Sequence, residues 1–334
     1  MKHLIGRVSR VMLKGAVSIA LVIYVLTRSN LSNIRDTLLQ VEPWSFMLAC
    51  ILVLVGVVLT ARIWQLLVLG QSPPIRRLAR YYLVGYLFNN FCPTSMGGDL
   101  VKVRMLSFDI RSFDLSFSSV FMSRFTGLLA SLLFSPLSVV WWLLIGRPSQ
   151  FATVIAAMLG FWTLSSLIVM LLFVRQGRML LLRLFPRRWK RAKEKWSALV
   201  NTLGLYASHL DLVVRAIVLS LLCQLLSIIL VAYCLSLAIQ ASIPFIYFVL
   251  FIPIINLMTM LPISLNGLGV REGAYVLFFT LVGQPASLAV SISLLTYVLV
   301  LGISLVGGVL FLLGIKGDGR NRKIDERDIR CTRG

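Results

Sequence analysis

Long runs of apolar residues, separated by short basic or polar segments, dominate this sequence. A helix that crosses a bilayer needs about 20 apolar residues, because the hydrocarbon layer is about 30 Å thick. Six runs reach or approach that length, and we predict each of them to be a full span: 11–27, 44–69, 115–145, 151–174, 212–239 and 286–315. The pattern therefore predicts an all-α polytopic membrane bundle.

Two further apolar stretches, 81–92 and 244–281, are broken by proline and glycine and do not look like simple crossings. A break inside hydrocarbon leaves backbone N–H and C=O groups unpaired, at a cost on the order of several kcal/mol per group. Such a break persists only where it is buried in protein or faces water. Each broken stretch therefore needs a special place in the fold.

Basic residues lie mainly between the apolar runs and indicate the topology. Segment 175–196 carries nine basic residues and one acid, which marks it as cytoplasmic under the positive-inside rule. The N-terminus, segment 76–80 and the tail from Lys316 are also basic, so we place all four on one side. Residues 81–114 then begin and end inside, whereas residues 244–283 begin and end outside. We predict two re-entrant hairpins that enter the bilayer from opposite faces.

The two broken stretches carry related motifs, which indicates an internal repeat. Segments Pro93–Lys102 and Pro262–Arg271 both fit P-x-S-[ML]-x-G-x-x-V-[KR] and lie about half the chain apart. Proline, serine and glycine are common turn residues, so a chance match is the alternative. Three predicted crossings separate the copies, which inverts the second relative to the first and favours a true repeat. Inverted repeats form binding sites near the bilayer midplane from interrupted helices.

The repeat and the charge pattern together give a domain organisation. We predict one transmembrane domain, 1–315, with pseudo-repeats at about 44–174 and 212–315, and a basic cytoplasmic tail, 316–334. The N-terminal segment resembles a signal peptide, but no small-x-small cleavage site follows within 28–42, so we predict an uncleaved first span. Both termini are then cytoplasmic, and the expected location is the cell (inner) membrane.

Composition excludes several classes of function. Hydrophobic residues make up 58% of the chain and charged residues 13%, too few to cover a water-facing surface. The formal charge of +21 fits anionic lipid headgroups more economically than nucleic acid in so apolar a chain. The two histidines, and the five cysteines without CxxC spacing, do not suggest a metal site or a catalytic triad. No cofactor is expected, and no GxxxxGK[ST] motif for ATP occurs.

Polar, charged and glycine residues in or beside the broken stretches are candidates for binding a lipid headgroup. Glycines permit close approach and positive φ, and amide groups at the start of a half-helix can bind phosphate. Serine and asparagine side chains can hydrogen-bond a headgroup, and basic side chains can neutralise it. The candidate substrate-binding residues are Asn89, Asn90, Ser95, Gly97, Gly98, Asp99, Lys102, Arg104, Arg124, Ser264, Asn266, Gly267, Gly269, Arg271 and Glu272. No catalytic or metal-binding residue is assigned.

Some of these residues also have a structural interpretation. Asp99 and Glu272 are costly acids in an apolar region, and each could instead belong to a charge pair with a neighbouring base. Arg124 lies too deep in its predicted span to be a helix-end charge, so we prefer a buried cation facing Asp99 or a lipid phosphate over snorkelling. The two adjacent asparagines before the first break could cap the hairpin or contact a ligand.

The motif segments resemble those of a known family. Segments Asn89–Asp99 and Leu261–Gly273 resemble the two signatures of the flippase-like transmembrane domain found in lysylphosphatidylglycerol synthases and their stand-alone relatives. Segment Ser123–Leu128 resembles the family's intervening Arg-x-x-Gly-Leu element. The resemblance implies a domain that moves a lipid between leaflets, which the synthases join to a cytoplasmic aminoacyl transferase. Only about twenty residues follow the last predicted span, so we expect the translocating part alone.

Our leading hypothesis is a membrane lipid translocator. It would pass the anionic or phosphate-bearing headgroup of a phospholipid or polyprenyl-linked lipid through a polar midplane site while the tails stay in lipid. A membrane-embedded lipid or lipid-linked-sugar transferase, with Asp99 or Glu272 as base, is the first alternative, although the absence of clustered histidines or paired carboxylates weighs against an enzyme. The second is a scaffold subunit for a soluble lipid synthase or transferase. The expected partners are membrane phospholipids and the anionic lipid substrate, not nucleic acid.

Overall fold

The computed structural model describes residues 31–91, 97–144, 208–260 and 267–331, together with positions 160, 163, 167 and 206. Every regular element within these residues is helical, which confirms the predicted all-α bundle. The first predicted span, the basic segment 175–196 and almost all of the predicted span 151–174 lie outside the described residues.

Ten α-helices and one π-helical turn are described. In chain order they are α1 (Leu31–Leu39), α2 (Pro43–Leu67), α3 (Ile75–Phe91), α4 (Gly97–Ile110), α5 (Phe113–Leu144), α6 (Leu210–Gln224), the π-turn (Leu225–Ile229), α7 (Leu230–Ala238), α8 (Phe245–Met260), α9 (Val270–Leu281) and α10 (Ala286–Cys331).

Four described segments are long and apolar enough to cross a membrane: Pro43–Leu67, Phe113–Phe134, Leu210–Ala238 and Ala286–Leu313. They match four of the spans predicted from hydropathy. Their outer faces expose large apolar side chains, among them Leu54, Val58, Leu305 and Leu312. A water-soluble surface rarely tolerates such continuous apolar exposure, so the chain is a membrane protein.

The two broken stretches form two pairs of shorter helices. In the first pair α3 ends at Phe91 and α4 begins at Gly97, and in the second α8 ends at Met260 and α9 begins at Val270. Gly267 and Gly269 have positive φ, so a turn precedes α9. Residues 92–96 and 261–266, which include Pro93 and Pro262, are outside the described part, so a break at each proline stays a prediction. That these pairs are re-entrant and enter from opposite faces stays a prediction.

Small residues and aromatic rings hold together the two helices of each pair. A Cβ at Gly98 of α4 would overlap the backbone carbonyl of Gly85 on α3, so the first pair packs backbone to backbone at this point. In the second pair, the Phe251 ring of α8 lies 5.3 Å from Phe278 and 5.6 Å from Phe279 of α9. Both contacts fix helices that carry candidate site residues.

Helix α10 contacts both pairs at separate places. Near its start, the Ser293 hydroxyl donates to Glu272 of α9 at 3.2 Å. Farther along, Ser304 accepts a hydrogen bond from Asn90 of α3. A Cβ at Gly307 would overlap the Leu83 carbonyl, so α10 and α3 also touch closely there. One continuous helix therefore bridges the two broken stretches.

Three features of the fold were not predicted from the sequence. Helix α1 lies between the first two predicted spans, where no helix was predicted, and α10 continues through the predicted tail as far as Cys331. The π-turn interrupts the predicted span 212–239. Its Ser227 packs so closely against Gly56 of α2 that a side chain at position 56 would overlap it. Such π-helical turns occur often at functional sites.

Candidate functional site

A cavity of about 420 Å³ lies where both broken stretches meet the long helices. Helices α2 to α10 and the π-turn all contribute to its wall, and most of the wall is apolar. Five of the predicted site residues line it: Asn89, Asn90, Lys102, Arg124 and Arg271. The two motif segments, distant in sequence, therefore supply side chains to one shared space.

Asp99, in the first turn of α4, holds two of the cations that line the cavity. Its Oδ1 lies 2.7 Å from the Lys102 ammonium, and its Oδ2 pairs with Nε of Arg124. The Asp99 and Lys102 side chains are 14% and 10% exposed, so the pair is shielded from solvent. The structural alternative weighed for Asp99, a charge pair, is therefore present. Arg124 faces Asp99, but its side chain is 38% exposed and not buried as preferred. Asp99 itself does not line the cavity, so it supports the cations from behind.

Lys102 is placed by two contacts besides its ion pair. Its ammonium lies 5.0 Å from the centre of the Tyr82 ring on α3, within the range of a cation–π interaction. Its side-chain stem runs past Gly85, where an added Cβ would lie 2.9 Å from Lys102 Cγ. The absence of a side chain at Gly85 therefore makes room for a buried lysine.

The adjacent asparagines at the end of α3 have structural contacts as well as cavity exposure. Asn89 Oδ1 accepts a hydrogen bond of 2.8 Å from the backbone N–H of Gly98 and so caps the start of α4. Asn90 donates to Ser304 of α10. Asn89 therefore caps the second helix of the pair. Contact of either asparagine with a ligand stays a prediction, although both line the cavity.

Arg271 is the cation that the second pair brings to the cavity. Its Nη1 is buried and has no hydrogen-bond partner among the described residues. The guanidinium lies 5.9 Å from the centre of the Tyr297 ring on α10. A buried guanidinium nitrogen without a partner is costly, so this atom is a natural contact for an anionic ligand.

Glu272 has a different position from Arg271, although the two are adjacent in sequence. Its Oε2 accepts a hydrogen bond of 2.6 Å from the backbone N–H of Gly269, and its Oε1 accepts one from Ser293. Gly269 has φ of 82°, a conformation that side chains rarely adopt, and this allows the sharp start of α9. Glu272 is 4% exposed and does not line the cavity, so its contacts stabilise the start of α9.

The charges at the cavity are unbalanced. Among the described residues, Lys102, Arg124 and Arg271 are the charged side chains in its wall, and all three are cations. The nearest carboxylates, Asp99 and Glu272, lie behind this wall and leave one net positive charge. No group of histidine, cysteine or acidic residues with metal-binding geometry occurs in the described part of the chain. The site therefore suits an anion.

The remaining candidates lie elsewhere. Arg104 is exposed, does not line the cavity, and stacks over Phe108 at 4.3 Å from the ring centre. The four candidate glycines shape the backbone at the starts of α4 and α9 without lining the cavity: Gly97, Gly98, Gly267 and Gly269. Three candidates lie outside the described residues: Ser95, Ser264 and Asn266.

One polar part of the cavity lining, here called the polar wall, was not predicted from the sequence. Ser220, Cys223 and Gln224 of α6, with Ser227 of the π-turn, all line it. Gln224 is the one amide side chain within the apolar run 212–239, and an amide inside a predicted span usually has a partner or a function. That signal was available but was outweighed by the more obvious breaks at proline and glycine.

Comparison with known proteins assigns the chain to one family. The family model described as "Lysylphosphatidylglycerol synthase TM region" matches residues 11–308, a range that includes both motif segments and every residue lining the cavity. No curated protein and no solved structure matches the chain.

Proposed function

The chain belongs to the lysylphosphatidylglycerol synthase TM region family, and from that premise we propose that it moves an anionic or phosphate-bearing lipid between the two leaflets. Family membership indicates a lipid-related role in the membrane. The finer proposal is that the lipid headgroup crosses through the cavity while the acyl or polyprenyl tails stay in the bilayer. Both termini are placed on the cytoplasmic side of the cell membrane in this proposal.

The set of three cations around one cavity is the observation on which the proposal rests. Charged side chains within a membrane bundle are expensive and usually mark the path of an ion or a substrate. Asp99 pairs with both Lys102 and Arg124 but can neutralise only one of them, and the buried Nη1 of Arg271 has no partner among the described residues. A phosphate would complete this arrangement, because its oxygens accept the hydrogen bonds that guanidinium and ammonium groups donate.

The broken helices supply the proposed movement. Inverted repeats with interrupted helices allow a central site to open to one side and then to the other when one repeat rocks against its partner. The cavity takes side chains from both repeats, so such a motion would change its access without dismantling either motif. The tails would remain in lipid throughout, which limits the desolvation cost to the headgroup.

The carboxylate contacts favour translocation over the transferase hypothesis. A general base must reach the proton that it removes. Asp99 is held by two cations, Glu272 accepts two hydrogen bonds at the start of α9, and neither lines the cavity. Both acids are therefore better placed to hold other side chains than to act on a bound lipid.

Reconstitution tests the proposal. The protein is placed in liposomes that contain tail-labelled fluorescent phosphatidylglycerol, and dithionite quenching reports exchange between leaflets. We expect exchange well above that of empty liposomes, and a fall of about tenfold or more in Arg271→Ala, which corresponds to about 1.4 kcal/mol. Arg104→Ala is the matched control, because this exposed arginine does not line the cavity, and its exchange rate should stay close to that of the wild type.

Two outcomes would contradict the proposal. Exchange no faster than in empty liposomes would remove translocation as the function. An unchanged rate in Arg271→Ala would remove this cavity as the route. Thin-layer chromatography of the recovered lipid separates the transferase hypothesis, because a transferase alters the lipid chemically and a translocator does not.

A further inference from the structure

The wall of the cavity formed by α6 is polar, although its helix lies in an apolar run. Cys223 and Gln224 follow Ser220 by three and four residues, so each lies on the same side of the helix as Ser220. Gln224 is 2% exposed and Ser220 is 4% exposed, and both line the cavity. These two polar side chains are therefore buried in the protein and directed at the same space as the cations.

Neither of the two has its hydrogen bonds satisfied by the fold. Gln224 Nε2 and Ser220 Oγ are buried without a hydrogen-bond partner among the described residues. Their neighbours differ, because Ser227 Oγ donates to the Cys223 carbonyl at 2.7 Å and lies 3.3 Å from Cys223 Sγ. An unpaired buried polar group costs stability, and two on one wall indicate that something outside the fold completes them.

The polar wall and the cations belong to the same site. Ser220 and Gln224 line the same cavity as Lys102, Arg124 and Arg271. The volume of about 420 Å³ falls within the range of about 300–1,000 Å³ typical of small-molecule sites. The cavity can therefore hold more of a headgroup than its phosphate.

We propose that Ser220 and Gln224 form a second subsite of this cavity, which binds the hydroxyl groups of a polyol headgroup. The substrate is then an anionic lipid whose phosphate carries an uncharged, hydroxyl-bearing group, such as glycerol or a sugar. The inference rests on the proposed translocation, since it assigns the substrate class of the same cavity.

The polar wall and the three cations together favour a polyol lipid. A carboxamide and a hydroxyl both donate and accept hydrogen bonds, as do the hydroxyls of a polyol. An ammonium headgroup would instead meet three cations, and no carboxylate lines the cavity among the described residues. A bare phosphate monoester carries no further hydroxyl groups for Ser220 and Gln224 to bind.

A comparison of the exchange rates of lipids that have the same tails but different headgroups tests the subsite. Exchange of fluorescent phosphatidylglycerol, phosphatidylinositol, phosphatidic acid and phosphatidylethanolamine is measured in liposomes with the full chain. We expect wild type to move the two polyol lipids at least about fivefold faster than the other two, a difference of about 1 kcal/mol. The ratio of the first two rates distinguishes glycerol from a cyclic polyol.

The variant Gln224→Leu isolates the contribution of the polar wall. It should lower polyol-lipid exchange to the rate of phosphatidic acid while leaving phosphatidic acid exchange unchanged. Because it removes an unpaired buried group, its Tm should equal or exceed that of wild type, which separates lost selectivity from misfolding. Ser220→Ala should shift the same ratio in the same direction by a smaller factor.

The two proposals fail in different ways. If wild type moves no lipid, the proposed function itself is wrong. If wild type moves all anionic lipids equally and Gln224→Leu changes no ratio, translocation stands and the polyol subsite is wrong. Fastest exchange of phosphatidylethanolamine would also overturn the subsite, because an ammonium group should be excluded.

Discussion

Replacing Asp99 by asparagine tests how Lys102 and Arg124 are held at the cavity. The substitution keeps the size of the side chain but removes the charge that pairs with Lys102 at 2.7 Å and with Arg124. Removing one partner from a buried ion pair typically costs about 3–5 kcal/mol, because the remaining charge is left without compensation. The Arg124 side chain is 38% exposed and can turn toward water, so we expect the lower end, about 3 kcal/mol.

The effect should be visible as a fall in thermal stability. At roughly 2–4 °C per kcal/mol for a large domain, the Tm of purified Asp99→Asn in detergent should fall by roughly 6–12 °C. Asp109→Asn is the matched control, because the partner of Asp109, Arg77, has a side chain that is 52% exposed, and asparagine can still accept the hydrogen bond that Tyr81 donates. An exposed pair of this kind contributes about 0–1 kcal/mol, so the control should shift the Tm by no more than a few degrees.

A second substitution decides whether charge is the cause. Adding Lys102→Met to Asp99→Asn removes one uncompensated cation, and replacing both partners of a buried pair is often nearly neutral. The double variant should therefore be more stable than Asp99→Asn alone, with a coupling free energy of about 1–3 kcal/mol. Equal Tm values for Asp99→Asn, Asp109→Asn and wild type would refute the reasoning, because the Asp99 pairs would then contribute no more than a surface contact.

Two further substitutions test the backbone of the site. Gly98→Ala should prevent close packing against the Gly85 carbonyl and lower the yield of monodisperse protein in size-exclusion chromatography, whereas Gly302→Ala, which meets no atom within 4 Å, should be tolerated; equal yields would contradict the packing argument. Glu272→Ala removes the acceptor of the Gly269 N–H and should cost about 1–3 kcal/mol in thermal unfolding, and an unchanged Tm would show that the cap is dispensable.

Much of the fold follows from hydropathy alone. The four described spans were predicted because long apolar runs have few alternatives to crossing a bilayer. The turn before α9 was predictable because glycine tolerates positive φ, as Gly267 and Gly269 show. The π-turn at Leu225–Ile229 was not predictable, since it lies in an unbroken apolar run and no proline or glycine marks it in the sequence. Helix α1 was missed because a nine-residue helix gives too short a pattern to identify.

The site was predictable in part. An acid such as Asp99 inside an apolar region requires a cation, which limited its partners to a few residues, and Lys102 and Arg124 proved to be those partners. The role of Glu272 depends on a carboxylate folding back onto the Gly269 N–H, a geometry that the adjacent Arg271 obscured in the sequence. The polar wall around Gln224 required the three-dimensional arrangement, because nothing in the chain links α6 to the motif segments.

The path of α10 limits how the two broken stretches can move. Ser293, joined to α9, and Gly307, against α3, are separated on one uninterrupted helix by about 20 Å at about 1.5 Å per residue. A helix is stiff over that length, so a displacement of α9 acts on α3 as through a lever. If the two stretches move relative to each other, the contact at one end of this segment must break; otherwise both stretches rotate together about α10.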